Sequence, residues 1–188
     1  MNVEILNYQD HWQEVKNAAM NTVGKETGKY PSSTWKSKIL RAEHSPIRYI
    51  ELTIRIHDIP YWVAMHLVRH HIGVTPYVST ERTDRTGIDR NNLPQNASVC
   101  LTLLANAQAL INISRKRLCS QAANETRGAW RAVVEAVRTV EPELADCMVP
   151  ECEYRGFCPE MRCCGFIGSE NYKNETEDYR NGFKNRET

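Results

Sequence analysis

Between Val68 and Arg82 the chain reads VRHHIGVTPYVSTER. Arg69, His70 and His71 stand together, and seven residues later come Ser79 and then Arg82. This is a group for handling anions and protons. A guanidinium offers a planar fork of donors that matches a phosphate, and an imidazole changes its charge near neutral pH. A packed core has no use for such a group, because arginine and histidine are seldom buried without partners. His66, Arg69 and His70 fall at i, i+3 and i+4 of the helix predicted around them and share one face. Three readings stay open. The stripe faces solvent or a subunit interface. Alternatively, His66 and His70 are a metal pair, although the glutamate of the zinc-protease motif is missing and Arg69 lies between them. In the third reading the group is a site for phosphorylated, planar ligands.

The elements that must position these residues follow from periodicity. Val3 and Ile5 alternate with polar neighbours and predict a short first strand. A helix is expected over residues 10–22, with Trp12, Val15, Ala18 and Ala19 on its buried face. The Gly-, Pro- and Ser-bearing stretch that follows reads as loop, with helix returning near 35–41. The clearest strand covers 47–57: Ile50, Leu52, Ile54 and Ile56 line one face, and Tyr49, Glu51, Thr53, Arg55 and His57 the other. Pro60 suits the first turn of a helix over 60–72 that Gly73 would end. Residues 75–93 read as a charged binding loop. Two further helices are expected over 97–115 and 120–140, the first with a stripe of Leu101, Leu104, Leu110 and Ile111.

The bulk properties exclude several classes. The 188 residues make one domain or one domain with an appendage, and a net charge of +1 gives no argument for a nucleic-acid or membrane-surface protein. There is no secretory signal pattern and no apolar run near the roughly 18 residues of a spanning helix, so a cytoplasmic protein is expected. Five of the seven cysteines lie between Cys147 and Cys164. In a reducing compartment they read either as a zinc site built from Cys152, Cys158, Cys163 and Cys164 or as free thiols packing a C-terminal segment.

The chain resembles the flavin-dependent thymidylate synthases. Their signature is Arg-His-Arg, seven residues, then Ser; here it is Arg69-His70-His71, seven residues, then Ser79. Other matches follow in the family's order. Glu43-His44-Ser45-Pro46 is similar to the segment before the family's strand, and Arg90-Asn91-Asn92-Leu93-Pro94 to its Arg-x-x-Leu-Pro step. Asn106, Asn112 and Arg117 keep the spacing of the family's Asn, Asn and Arg. Ala19-Met20-Asn21-Thr22 is a further, looser match. Together they cover roughly residues 1–145.

The resemblance implies an α/β fold of the α+β kind, a small antiparallel sheet with packed helices. By composition, residues 147–167 are a Cys-rich segment and the polar 168–188 a disordered tail, while the resemblance assigns 1–146 to the synthase-like domain. It implies a homotetramer with sites at subunit interfaces, in which methylenetetrahydrofolate supplies a methylene group to dUMP, reduced FAD supplies a hydride, and NADPH re-reduces the flavin. Arg69, His70 and His71 would contact FAD, with Ser45, Asn106 and Asn112 helping to hold it and Thr22 as an addition. His66, Ser79, Arg82, Arg90 and Arg117 would contact dUMP. Arg117 and Ser79 are the catalytic candidates, Arg117 by stabilising negative charge on the uracil carbonyls.

The chain departs from the family at three points. His71 replaces an arginine, so a permanent cation becomes a titratable one. The loop Pro76-Tyr77-Val78-Ser79 lacks the family's glutamate, which Glu81 either replaces or does not. Only residues 83–89 stand where the family inserts several dozen. Two alternatives follow: a flavoenzyme with a different C5 chemistry on a pyrimidine nucleotide, or a non-catalytic nucleotide- or nucleic-acid-binding relative.

Overall fold

The computed structural model describes residues 1–26 and 28–181. Its chain order is β1 (Asn2–Tyr8), α1 (Trp12–Asn21), α2 (Ser33–Arg41), β2 (Glu51–Pro60), α3 (Tyr61–Val68), β3 (Val74–Val78), α4 (Thr83–Thr86), β4 (Ser98–Asn106), α5 (Ala107–Arg117), α6 (Asn124–Arg138), α7 (Pro142–Ala145), α8 (Glu151–Arg155) and α9 (Glu170–Asn181). The strands form one antiparallel sheet in the order β1-β2-β4-β3. This is the expected mixed architecture. Among the described residues, no helix is long and apolar enough to cross a membrane.

Strand β2 is built as its alternation predicts, with Leu52, Ile54 and Ile56 fully buried. It starts later than expected, because Ser45–Tyr49 forms a 3-10 turn. The helix predicted over 97–115 is instead two elements. Its first half is β4, which lies in the interior of the sheet, and only its second half is α5. The reason is a period of two that the leucines at 101 and 104 disguised. Val99, Leu101, Leu103 and Ala105 are buried and alternate with partly exposed Cys100, Thr102 and Leu104. Burying such a side chain is worth roughly 1.5–3 kcal/mol, whereas intrinsic strand propensity spans only about 1 kcal/mol. The buried face decides. Residues 75–78, the start of the span expected as loop, join Val74 to supply the edge strand beside β4.

One face of the sheet packs on a core that includes Trp12, Val63, Leu67, Leu110, Trp130, Val133 and Val137. A buried bond ties α5 to α6: Trp130 Nε1 donates to Ser114 Oγ at 2.8 Å, and Ser114 Oγ donates back to the Leu110 carbonyl at 2.7 Å. Chain position also matters for α3, which starts directly from β2 with no loop. Its first amides are satisfied from outside the helix, Tyr61 N by the Ala97 carbonyl at 2.9 Å and Trp62 N by Gln95 at 3.3 Å. Those bonds fix the angle at which α3 leaves the sheet. The helix ends at Val68, one turn short of the predicted 72, and Arg69 caps it.

The expected disordered tail is a correction. Residues 170–181 are helical, and Tyr172 and Thr176 are buried. Tyr172 Oη donates to the Cys152 carbonyl at 3.2 Å and its ring meets Phe166 edge-on at 5.6 Å. Arg41 of α2 donates to the Tyr179 carbonyl and lies 4.6 Å over the Tyr179 ring. The composition of this segment is polar, but its few aromatics fall on the face that docks. The remainder of the expected tail lies outside the described residues.

Glu141, only 2% exposed, joins the N-terminal elements to the end of α6. Its Oε1 accepts from Trp12 Nε1 at 2.8 Å and from the Tyr8 hydroxyl. Burial raises its carboxyl above the usual range, although both bonds favour the charged form. Glu141→Ala would leave two donors without their acceptor, at roughly 1–3 kcal/mol for a buried one. Urea unfolding is expected to show a loss of about 2–4 kcal/mol for Glu141→Ala and clearly less for Glu141→Gln, which keeps an acceptor oxygen.

Candidate active site

The corner between α3 and β3 carries the Arg-His-His triplet. It is held by Gly73 and Asn106. Gly73 has φ +73, and a Cβ there would lie 2.7 Å from Asn106 Nδ2, so both backbone and space require glycine. Asn106 ends β4 with its amide on the Gly73 carbonyl at 3.1 Å, and its Oδ1 caps α5 by accepting from Ala109 N at 2.9 Å. The helix launched from this cap ends at Arg117, which returns to the triplet. Arg117 Nε donates to His70 Nε2 at 2.8 Å, and Nη2 donates to the His66 carbonyl at 2.7 Å. Residues far apart in sequence therefore meet through direct bonds.

The Arg117 bond fixes the state of His70. Nε2 accepts a hydrogen bond, so the ring is neutral with its proton on Nδ1. Burial lowers its pKa first, and the charges of Arg117 and Arg69 and the neighbouring His71 lower it further, to about 4. Burial, with Arg69 beside it, also lowers the Arg117 pKa. His66 Nδ1 is 3.0 Å from Thr126 Oγ1 of α6, and the Trp62 ring meets the His66 ring edge-on at 5.3 Å. His71 is exposed and reaches only the Arg69 carbonyl, at 3.2 Å.

Arg69, His70 and Arg117 open onto a cleft of about 450 Å³ that Lys116, Gln121 and Glu160 also line. Three cations face one carboxylate there, a setting that suits an anionic ligand. A second cleft, of about 530 Å³, gathers Ser79, Arg82 and Arg90 with Tyr61, Met65 and Gln95. Helix α3 supplies Tyr61 and Met65 to the second cleft, and its C-terminal cap, Arg69, lines the first. Ser79 Oγ accepts from Cys100 N at 3.0 Å and keeps its own proton to donate. The fork of Arg82 is engaged by Asp84, through Nε at 3.0 Å and Nη2 at 2.8 Å, so a phosphate would have to compete with that carboxylate.

Ser45 and Asn112 belong to neither cleft. Asn112 Oδ1 accepts from Gln108 at 3.3 Å and from Arg115 Nη1 at 3.2 Å, and both donors also bond Glu43. Arg115 lies 3.6 Å over the Tyr154 ring. Five residues along a helix give a rotation of about 500° and a rise of about 7.5 Å, so Asn112 and Arg117 face different ways. The sequence reading missed Lys116, Gln121, Thr126 and Glu160. Only their position in space marks them, because each reads in sequence as a solvated helix or loop residue.

The expected zinc set is also a correction. Among the described residues, no group of three or more His, Cys, Asp or Glu side chains forms a metal-holding arrangement. Cys152 lies in α8, beyond the turn at Gly156 that starts the loop carrying the other three. Burial, then Glu153 and Cys119, push its thiol up to about 11.

No protein-family model matches the sequence. It is 33% identical over 85 residues, 43% of this chain, to the flavin-dependent thymidylate synthase of Nitratidesulfovibrio vulgaris, and it spans 35% of the length of that curated relative. The fold is similar to the flavin-dependent thymidylate synthase of Helicobacter pylori complexed with FAD and dUMP. That similarity has TM-score 0.65 and 13% identity, over 79% of this chain and all of the other. It is similar also to a UMP/dUMP methylase, PolB, of Streptomyces cacaoi bound with 5-Br dUMP, with TM-score 0.63 and 14% identity over 83% of this chain and 95% of that one. The fold is thus shared with these nucleotide-binding structures, and the basic corner lies within it. Over those 85 residues the sequence is similar to a flavin-dependent thymidylate synthase, and the fold is similar to that of solved structures of such enzymes.

The neutral state of His70 has a measurable consequence. A histidine whose folded pKa lies below its unfolded value stabilises the fold above the unfolded pKa, and that contribution is lost as pH falls. The window runs from the ordinary value of 6.5 down to about 4. A proton on Nε2 would set donor against donor and release Arg117. The His70 ring is expected to titrate near pH 4 by NMR, and Arg117→Gln should move that midpoint upward. A His70 midpoint near 6.5 in the unaltered protein would refute the buried, acceptor-only assignment.

Proposed function

We propose that this protein is a flavin-dependent thymidylate synthase, converting dUMP to dTMP by reductive methylation with methylenetetrahydrofolate and FAD, with NADPH as reductant. The observation that carries this reading is the corner in which Arg117 is held by bonds to His70 and the His66 carbonyl, with Arg69 lining the same cleft. The residues fit FAD in kind: Arg69 and Lys116 are cations at the cleft for a pyrophosphate, and neutral His70 offers Nδ1–H as a donor. Bound flavin, once reduced, supplies the hydride, and the protein mainly binds and orients.

Arg117 has two guanidinium nitrogens committed to His70 and His66, and its remaining N–H bonds are free for the uracil carbonyls. Negative charge that builds on those oxygens as C5 becomes nucleophilic would be met by a cation that need not reorganise. Ser79 donates its hydroxyl proton to the nucleotide, and Arg82 and Arg90 take the 5′-phosphate, with Arg82 exchanging Asp84 for it. His71, Ser45, Asn106 and Asn112 complete the flavin contacts, Asn112 through its Nδ2, since its Oδ1 is committed within the chain.

In one chain the dUMP residues divide between two clefts, Arg117 in one and Ser79, Arg82 and Arg90 in the other. A homotetramer would resolve this by setting the first cleft of one subunit against the second cleft of its neighbour. A second reading is favoured by the loop before Ser79, which has no carboxylate at 76–78, and by the likeness to PolB. It keeps flavin and pyrimidine nucleotide but changes the C5 chemistry or accepts UMP.

Purified protein reconstituted with FAD should show a flavin absorption spectrum that dUMP perturbs. Tritium release from [5-³H]dUMP should require methylenetetrahydrofolate. Protein that takes up no flavin would sink the proposal, and folate-independent release would select the second reading. Removing a fixed electrostatic donor from a site of this kind costs about 10²–10³ in kcat, the loss expected of Arg117→Ala. Arg117→Ala and Ser79→Ala subunits, each inactive alone, should regain part of the activity when unfolded and refolded together. No recovery would mean that each site is built by a single subunit.

A further inference from the structure

The loop after α8 holds three thiols in seven residues, Cys158, Cys163 and Cys164. All are free, Cys158 partly exposed and the other two fully so. Cys163 and Cys164 are provided with donors. Gly165 N lies 3.4 Å from Cys163 Sγ and donates to it. Cys164 receives the Ser120 hydroxyl and the Phe166 amide, with Arg127 nearby, and its pKa is lowered. Backbone donors and a nearby guanidinium are the surroundings of reactive cysteines, in contrast to the buried thiol of Cys147, which is pushed up to about 12.

Cys158 faces the same group. The Glu160 amide bonded to its sulfur favours the thiolate, but partial burial and the neighbouring Cys163 and Cys164 together keep its proton on. This connects the thiols to the cationic cleft. Among the described residues, the Glu160 carboxylate is the only acid lining that cleft, and it lies 3.8 Å from Lys116 Nζ. The same loop is tied to the turn between α5 and α6 by Gln121 Nε2, which donates to the Arg162 carbonyl at 3.1 Å. The two residues that carry these contacts, Glu160 and Arg162, lie in the segment that Cys158 and Cys163 bracket.

We propose that Cys158 and Cys163 are a redox-active dithiol, closed to a disulfide by a low-molecular-weight disulfide such as oxidised glutathione, and that closure moves the Glu160 wall of the arginine cleft. The Cys163 thiolate attacks one sulfur of the small disulfide and expels one glutathione thiolate. The Cys158 sulfur, giving up its proton, then attacks Cys163 in the mixed disulfide and expels the second. Two protein thiols are oxidised, one small disulfide is reduced to two thiols, and the two protons leave on them. Closure draws together the two ends of the segment that carries Glu160, so the carboxylate beside Lys116 shifts with it. This inference does not depend on the bound flavin or nucleotide.

The test uses the whole chain, equilibrated with oxidised glutathione, alkylated and mapped by mass spectrometry without reduction. A peptide pair joined through Cys158 and Cys163, reopened by dithiothreitol, is expected, and Cys164→Ser should retain it. Cys158→Ser should stop at a glutathione adduct on Cys163. The His70 ring resonance reads the cleft without any ligand. It should shift on oxidation of the unaltered protein and stay fixed in Cys158→Ser. Separate glutathione adducts on Cys158 and Cys163 would overturn the dithiol, and an unmoved His70 resonance would overturn its coupling to the cleft.

Discussion

Everything at the basic corner depends on Asn106. Its backbone amide closes the sheet onto Gly73, its side chain caps α5, and the same side chain occupies the space a Cβ on Gly73 would need. A cap is worth about 0.5–2 kcal/mol, a modest sum. The geometric effect is larger than the energy suggests, because the cap sets the direction of an eleven-residue helix with Arg117 at its far end. The other support is the pair of bonds that pin the start of α3 to residues 95 and 97. Two helices are thus aimed from the same stretch of chain on either side of β4, and their ends meet.

Bringing Arg69, Lys116 and Arg117 together costs energy through repulsion, and two features reduce it. His70 is held neutral by burial and by its role as acceptor, so the triplet adds no further charge between the guanidiniums. Glu160 enters from a distant loop as the balancing charge. A replacement of His71 by arginine, the residue usual in the family's signature, would add a cation at an exposed position beside this group. The present chain carries there a ring that is bonded only to the Arg69 carbonyl.

The short connection across residues 83–89 leaves its mark in the second cleft. The four-residue helix α4 ends at left-handed Gly87, and Asp84 at its start holds the Arg82 fork. Arg82 is thereby held by a carboxylate only two residues away in sequence. The pair is exposed, where an ion pair is worth about 0–1 kcal/mol, so giving up Asp84 costs Arg82 little.

Much of this was legible in the sequence. Residue type and spacing marked Arg69, His70, Ser79 and Arg82 as a group of anion donors, and the resemblance to the synthase family added Arg90 and Arg117. The alternation of Ile50, Leu52, Ile54 and Ile56 likewise determined a half-buried strand. Tertiary structure decided the rest. Residues 98–106 became a strand because the sheet offered a buried face for Val99, Leu101, Leu103 and Ala105, and a pattern of leucines compatible with either period cannot choose between them. Residues 170–181 became a helix because Tyr172 and Tyr179 found partners on α8 and α2. The neutral tautomer of His70, the commitment of Asn112 Oδ1, the entry of Glu160 and the division of the site between two clefts all arise from residues distant in sequence. Each is a property of a hydrogen bond or a charge at a distance, and neither exists until the chain has folded.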